Sequence, residues 1–74
     1  MSLKQIAKDA HTKVLAFGGV QQSIGILDDL AEQCGAKDSF DFLGDLEDAL
    51  AEEGLKIAGG LGLRNEVYVE PKIG

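Results

Sequence analysis

One histidine, one cysteine and many carboxylates are the side chains of this sequence that could do chemistry. His11 and Cys34 are the only residues of their types among 74, so a catalytic pair would require these two to meet. A zinc site needs about four such ligands, which one chain cannot supply. Cys34 falls on an apolar helical face, which favours a buried structural thiol. We therefore expect no metal, no cofactor and no enzymatic activity.

The carboxylates form the strongest pattern in the sequence. Four of them recur at i, i+4, i+7 and i+11, and together they are named the acidic stripe: Asp41, Asp45, Asp48 and Glu52. Residues at this spacing stack on one side of a helix, where like charges repel one another. No Lys or Arg lies between Asp38 and Glu53 to compensate them. The stripe is a solvated face, a contact surface for a basic partner, or an imitation of a nucleic-acid backbone.

Charge is distributed unevenly along the chain. The net charge is −6, and residues 21–54 alone sum to −9, because they hold ten acids and one lysine. Residues 1–20 sum to +2 and residues 55–74 sum to +1. A DNA-binding function would therefore depend on few and scattered cations, and the candidates are Lys4, Lys8, Lys13, Lys37, Lys56 and Arg64.

Length and composition indicate a single small domain over residues 1–74. Apolar residues make up 45% of the chain, as in globular proteins. No run approaches the roughly 18 apolar residues that a membrane helix needs. The N-terminal segment lacks an apolar signal region, and one cysteine gives no sign of an oxidising compartment. We expect a cytoplasmic protein that does not enter a membrane.

Two helices are predicted in the first half of the chain. Ser2 followed by Gln5 is a capping-box signature, and apolar residues at helical spacing continue to the glycine pair at 18–19. Ser23 is expected to cap the second helix, and Gly35 is expected to end it.

The third helix has the clearest boundaries in the sequence. Asp38 or Ser39 is expected to cap its start, and Gly54 is placed to be the left-handed residue after its end. Its apolar positions recur with the helical period. The acidic stripe is then predicted to lie on its outer side.

A two-stranded hairpin is predicted after the third helix. Apolar residues alternate with polar ones over residues 55–57 and 66–70, which is typical of strands. A glycine-rich tip at residues 59–65 joins them, and Pro71 ends the second strand. Tyr68 is expected on the outer face, either as a cover for the hairpin or as an interface anchor.

This order of three helices and a hairpin resembles a winged helix-turn-helix domain over residues 24–70. The segment Leu27–Ala36 is similar to the second helix of that family and the turn after it. The segment Leu46–Leu55 is similar to the exit of its third helix into the wing. The resemblance implies a mainly α (α+β) fold with residues 59–69 as the wing. It also implies a third helix that reads the DNA major groove.

Two functions are open at this point. The first is a non-catalytic winged-helix-like module in transcription or another nucleic-acid process, which binds DNA through the cations named above. The second is an acidic adaptor or inhibitor that uses the acidic stripe and Tyr68 against a basic protein surface. The stripe should repel DNA, which is itself densely negative. A homodimer is a further expectation, since the basic first helix could meet the stripe of a neighbour.

Overall fold

The computed structural model of this chain describes residues 2–72. Its elements in order are α1 (Leu3–Ala16), β1 (Gln22–Ile26), α2 (Leu27–Gln33), α3 (Ser39–Glu52), β2 (Leu55–Leu61), a short 3₁₀ turn (Leu63–Asn65) and β3 (Glu66–Pro71). Within these residues the strands form one antiparallel sheet in the order β1-β3-β2. The predicted mixed α+β architecture with three helices is confirmed, whereas the sheet has three strands instead of two.

Strand β1 corrects the prediction that Ser23 begins a helix. Ser23 pairs with Tyr68 and Gly25 pairs with Val67, so this segment extends the hairpin. Gly25 has φ 128, which is far from helical, and the flanking isoleucines are β-branched and suit a strand. Helix α2 consequently starts only at Leu27 and has no side-chain cap.

Helix α1 begins and ends where the sequence predicts. The Ser2 hydroxyl accepts a hydrogen bond from the Gln5 amide at 3.2 Å, which satisfies one free donor of the first turn. Beyond the last turn, the Gly19 amide donates to the Val14 carbonyl at 2.8 Å, and Gly19 has φ 80. A glycine suits this left-handed position because it has no Cβ.

Helix α3 is capped as predicted and buries one apolar stripe. The Asp38 carboxylate accepts a hydrogen bond from the Phe40 amide at 2.8 Å, and Gly54 follows the helix with φ 75. The buried residues of α3 are Phe42, Leu46 and Leu50. They join residues from α1, α2 and the inner face of the sheet in one core, including Val14, Leu30, Leu55, Val67 and Val69. This packing fixes which side of α3 faces solvent.

The hairpin differs from the prediction in its strand lengths. Strand β2 continues to Leu61 and includes residues 59–60, which were predicted to belong to the tip. The pairing with β3 is irregular there, since its register shifts between Ile57 and Leu61. The tip is therefore shorter than predicted and is centred on residues 62–65. No helix within residues 2–72 is long and apolar enough to cross a membrane.

Candidate interaction surface

The acidic stripe lies on the solvent side of α3. All four members are exposed, because the opposite side of the helix carries the buried residues Phe42, Leu46 and Leu50. Helical spacing puts the stripe residues next to one another along the helix. The arrangement predicted from spacing is therefore present in the fold as one continuous anionic surface.

A groove of about 340 Å³ runs between α1 and this stripe. Its floor is apolar and includes Leu3, Ala7 and Ala49. Three of the four stripe residues line one wall: Asp45, Asp48 and Glu52. The stripe thus borders a concave surface with an apolar base instead of standing on an isolated helix.

On the α1 side the groove is lined by one cation, Lys4, and Glu53 adds a fourth carboxylate to the lining. Lys8 and His11 follow Lys4 at i+4 and i+7 along α1, outside the lining. His11 Nδ1 lies 3.5 Å from Glu53 Oε1, which brings this side of α1 against the end of α3. The sequence suggested an uncompensated anionic row. The packing of α1 on α3 places Lys4 across the groove from the stripe, but the described residues contain no ion pair to a stripe carboxylate.

These opposite charges do not pair within the chain. The ion pairs within 4.0 Å in the described part of the chain are His11–Glu53 and Lys56–Glu70. Lys4 and Lys8 are exposed, as are the stripe residues. Both signs therefore remain available to a partner.

The cations predicted to bind DNA are exposed but do not form one surface. Lys4 lines the groove and Lys8 follows one turn later on α1, whereas the Lys13 ammonium donates to the Ser23 carbonyl at 2.7 Å beside β1. Lys37 lies in the turn between α2 and α3, Lys56 on β2 beside Glu70, and Arg64 at the hairpin tip. Helix α3, the element that should read the major groove by resemblance, carries no cation.

The hairpin tip holds two residues in a costly conformation. Arg64 has φ 63 and Asn65 has φ 59, and the Glu66 amide donates to the Leu63 carbonyl. This is the form of a type I′ turn, whose central positions favour asparagine and glycine. An arginine there costs roughly 1 kcal/mol. Leu63, 92% exposed, stands beside it.

A hydroxyl–carboxylate cluster on the outer face of the sheet was missed by sequence reasoning. Glu66 accepts hydrogen bonds from the Tyr68 hydroxyl at 2.7 Å and from the Ser23 hydroxyl at 2.8 Å. These two bonds, first that of Tyr68 and then that of Ser23, lower the pKa of Glu66, while Glu66 raises the pKa of Tyr68. Glu66 and Tyr68 alternate on one strand, but the part played by Ser23 required knowledge of β1.

Tyr68 is half-buried on this outer face, where the sequence placed it. A Cβ on Gly62 would lie 3.1 Å from Cε2 of Tyr68, closer than ordinary van der Waals contact. The ring therefore covers the base of the hairpin tip, and its hydroxyl is engaged by Glu66. This position is remote from the acidic stripe, so the two predicted protein-contact elements are not brought together.

Several apolar side chains remain exposed at separate places. Leu15, Phe17 and Val20 surround the end of α1, and Phe40, 83% exposed, stands in the first turn of α3. The 14 residues of α3 span about 21 Å, and the His11–Glu53 pair places the end of α1 near the far end of α3. The two rings therefore belong to different surfaces.

Within residues 2–72, no group of three or more histidine, cysteine or acidic side chains is arranged to hold a metal ion. Cys34 packs against the core, as predicted, but it is half-buried instead of buried. Comparisons with protein-family models, with curated proteins and with solved structures found no match to this chain.

Proposed function

We propose that this protein is a non-catalytic binding module, built like a winged-helix domain, that binds a basic protein surface through the acidic stripe. The observation that carries the proposal is the solvent exposure of all four stripe carboxylates on a helix without a single cation. Their mutual repulsion costs a few tenths of a kcal/mol per neighbouring pair. A cationic partner would relieve that repulsion, and its own charges would be attracted by the carboxylates.

The same surface disfavours DNA as the ligand of α3. Duplex DNA carries a negative charge about every 1.7 Å along its axis, so it is repelled by a helix whose outer side is anionic. A basic protein has the opposite charge and fits the stripe and the apolar floor of the groove. The placement of α3 between a short turn and the hairpin supports the winged-helix likeness, while its charge supports a protein partner.

An affinity capture with immobilised protein tests the proposal. The wild-type chain is compared with Asp45→Lys/Asp48→Lys, and the matched control is Glu32→Lys/Glu47→Lys, which changes the net charge equally at exposed sites outside the groove. Nuclease-treated and untreated extracts are run in parallel. We expect protein partners that resist nuclease, that are lost with the stripe variant and that are kept by the control. Identical partner sets for all three proteins would refute the proposal.

DNA binding through the hairpin tip is the second candidate, and the conformation of Arg64 favours it. The chain keeps an arginine at a left-handed position, beside an exposed leucine, where glycine or asparagine would be less strained. Strain retained at an exposed loop tip is common at binding sites. Here Arg64 at the tip would contact phosphates, while α3 stays away from the duplex.

Gel retardation with duplex DNA at low salt tests this second candidate. Binding should weaken steeply as salt rises, since phosphate contacts release counterions. Arg64→Ala should reduce retardation, and Lys56→Ala is the control because Lys56 is paired with Glu70. Absence of retardation at very low salt would remove the candidate.

A further inference from the structure

We infer that the groove between α1 and α3 holds an amphipathic helix of another protein, whose cationic side faces the acidic stripe and whose apolar side covers the groove floor. The inference rests on the proposed function, since it uses the same stripe and names the kind of element that binds it. Two observations carry it, the excess of carboxylates in the lining and the apolar floor beside them.

The lining of the groove has a clear excess of negative charge. Its charged members are one lysine and four carboxylates: Lys4, Asp45, Asp48, Glu52 and Glu53. Among the described residues, Glu53 alone of these has an ion pair, with His11 Nδ1 at 3.5 Å. The other three carboxylates are exposed on α3. The charge of the lining therefore favours a cationic occupant and disfavours an anionic one.

The floor between these charged side chains is apolar and only partly covered. Leu3 and Ala49 pack against the core yet remain half-buried, and Ala7 beside them is buried. Small cations would leave this floor in contact with water. A helix with an apolar side removes it from water, which is the arrangement by which amphipathic helices bind to grooves.

The spacing of the carboxylates favours a helix over an extended segment. Along α3 the step from Asp45 to Asp48 is about 4.5 Å, and the step from Asp48 to Glu52 is about 6 Å. A helix that lies alongside α3 repeats these steps with cations at i, i+4 and i+7 when antiparallel, or at i, i+3 and i+7 when parallel. Side chains on one face of a strand recur about every 6.8 Å instead, so a strand matches fewer of the carboxylates.

The length of the groove limits the contact and therefore its strength. The lining extends along α3 from Asp45 to Glu53, which is about 12 Å or slightly more than two helical turns. So short an element buries far less than the roughly 800 Å² per partner of a standard interface. We expect binding that is weak, electrostatic and sensitive to salt.

An NMR titration of the isotope-labelled full chain tests the inference with synthetic peptides. The probe is a peptide of about 18 residues made of alanine, leucine and lysine, with the lysines along one side of the helix and the leucines along the adjacent side, since much shorter peptides are seldom helical in water. One control peptide has the same composition in an order that mixes lysine and leucine around the helix. The other has a central proline that breaks the helix.

The amphipathic peptide should bind in the groove at low salt. At about 20 mM salt it should shift the amide signals of Leu3, Ala7 and Ala49 and leave that of Leu63 at the hairpin tip unchanged, and the shifts should disappear at about 500 mM salt. Both control peptides should bind at least about fivefold more weakly, because neither presents a preformed apolar side.

Three variants separate the carboxylates from the floor. Asp45→Lys/Asp48→Lys should weaken binding of the amphipathic peptide at least about tenfold, because attraction becomes repulsion. Glu32→Lys/Glu47→Lys changes the net charge equally at exposed sites outside the groove, and should weaken binding less than about threefold. Leu3→Gln keeps the charge and should weaken binding at least about threefold, because it replaces part of the apolar floor by an amide. Circular dichroism verifies that each variant is folded.

Several results would overturn the inference. An amphipathic peptide that does not bind at low salt would do so, and so would equal binding of all three peptides. Amide shifts confined to residues outside the groove would show that the peptide binds elsewhere. Unchanged binding by a folded Leu3→Gln chain would show that the floor takes no part.

The titration and the affinity capture can fail separately. Captured proteins that are lost with Asp45→Lys/Asp48→Lys but kept by Leu3→Gln, together with a peptide that does not bind, support the proposed function and reject the helix in the groove. Capture of the same proteins by every variant, together with a peptide that does not bind, rejects both.

Discussion

The outer face of α3 and the outer face of the sheet are both charged, but they differ in whether the charged side chains have partners within the chain. On the sheet, Lys56 Nζ lies 3.5 Å from Glu70 Oε1, and Glu66 accepts hydrogen bonds from Tyr68 and Ser23. On α3, no described cation comes within 4.0 Å of the acidic stripe. The charges of the sheet are thus paired or hydrogen-bonded within the chain, whereas the stripe carboxylates stay exposed without an ion pair among the described residues.

The largest expected effect concerns the inner side of α3, on which the exposure of the stripe depends. Leu46 is completely buried, so Leu46→Ala removes core contacts and leaves a cavity. We expect a loss of about 2–5 kcal/mol in the free energy of unfolding, measured by urea denaturation. Asp45→Ala, one residue away on the outer side, is the control and should not destabilise the chain, because it removes only an exposed carboxylate with like-charged neighbours. Similar losses for both would contradict the division of α3 into a buried side and an exposed side.

A smaller effect, of opposite sign, is expected at the hairpin tip. Arg64→Gly should raise the free energy of unfolding by about 0.5–1 kcal/mol, because glycine adopts positive φ without the Cβ clash and gives back part of the gain as chain entropy. Lys56→Gly provides the contrast. Lys56 lies in β2 at ordinary strand geometry, so a glycine there should destabilise the protein. A destabilised Arg64→Gly chain would indicate that the arginine side chain makes stabilising contacts at the tip.

The stripe itself should be a source of mild instability. Asp48 has like-charged neighbours at Asp45 and Glu52, so Asp48→Asn should stabilise the chain by roughly 0.4–1 kcal/mol at low salt. The gain should fade at high salt, where exposed charges are screened. Thermal unfolding of the wild-type chain and of Asp48→Asn at two salt concentrations measures the stabilisation and its loss with salt. If Asp48→Asn destabilised the chain, Lys4 across the groove would have to compensate the stripe already.

The smallest effect concerns Glu66, the hydrogen-bonded carboxylate on the outer face of the sheet. The pKa of Glu66 lies below its ordinary value of 4.5, chiefly because of the Tyr68 hydrogen bond and secondarily because of that of Ser23. A depressed carboxyl pKa contributes stability that is present above the unfolded pKa and is lost as the pH falls through the folded pKa. In urea denaturation between about pH 6 and a pH below 4.5, the free energy of unfolding should therefore fall more steeply for the wild-type chain than for Glu66→Gln. Parallel curves would mean that the cluster does not stabilise the ionised carboxylate.

Helices α1 and α3 were predictable from the sequence because their boundaries are local signals. Ser2 and Asp38 cap through their own hydrogen bonds to nearby amides, and Gly54 takes the left-handed position after α3. Strand β1 was not predictable in the same way. Ser23 has the residue type of a helix cap, and its actual partners, Tyr68 and Glu66, are more than 40 positions away.

The same distinction between local signals and long-range contacts applies to the candidate surface. The acidic stripe follows from spacing on one helix and is found exposed as predicted. The position of Lys4 opposite the stripe depends on how α1 packs against α3, which no local pattern contains. The sequence therefore indicated one side of the groove, and the tertiary arrangement was needed to find the other.

The irregular sheet margins have a consequence for how copies of this chain come together at high concentration. Strand β1 shifts register between Ser23 and Gly25, and the Ser23 carbonyl is occupied by Lys13. Strand β2 is interrupted by glycines 59 and 60, whose φ angles are 62 and 99. Neither margin offers the flat row of free amides and carbonyls that templates strand addition. Crowded molecules should meet through side chains and separate again, instead of growing into fibrils.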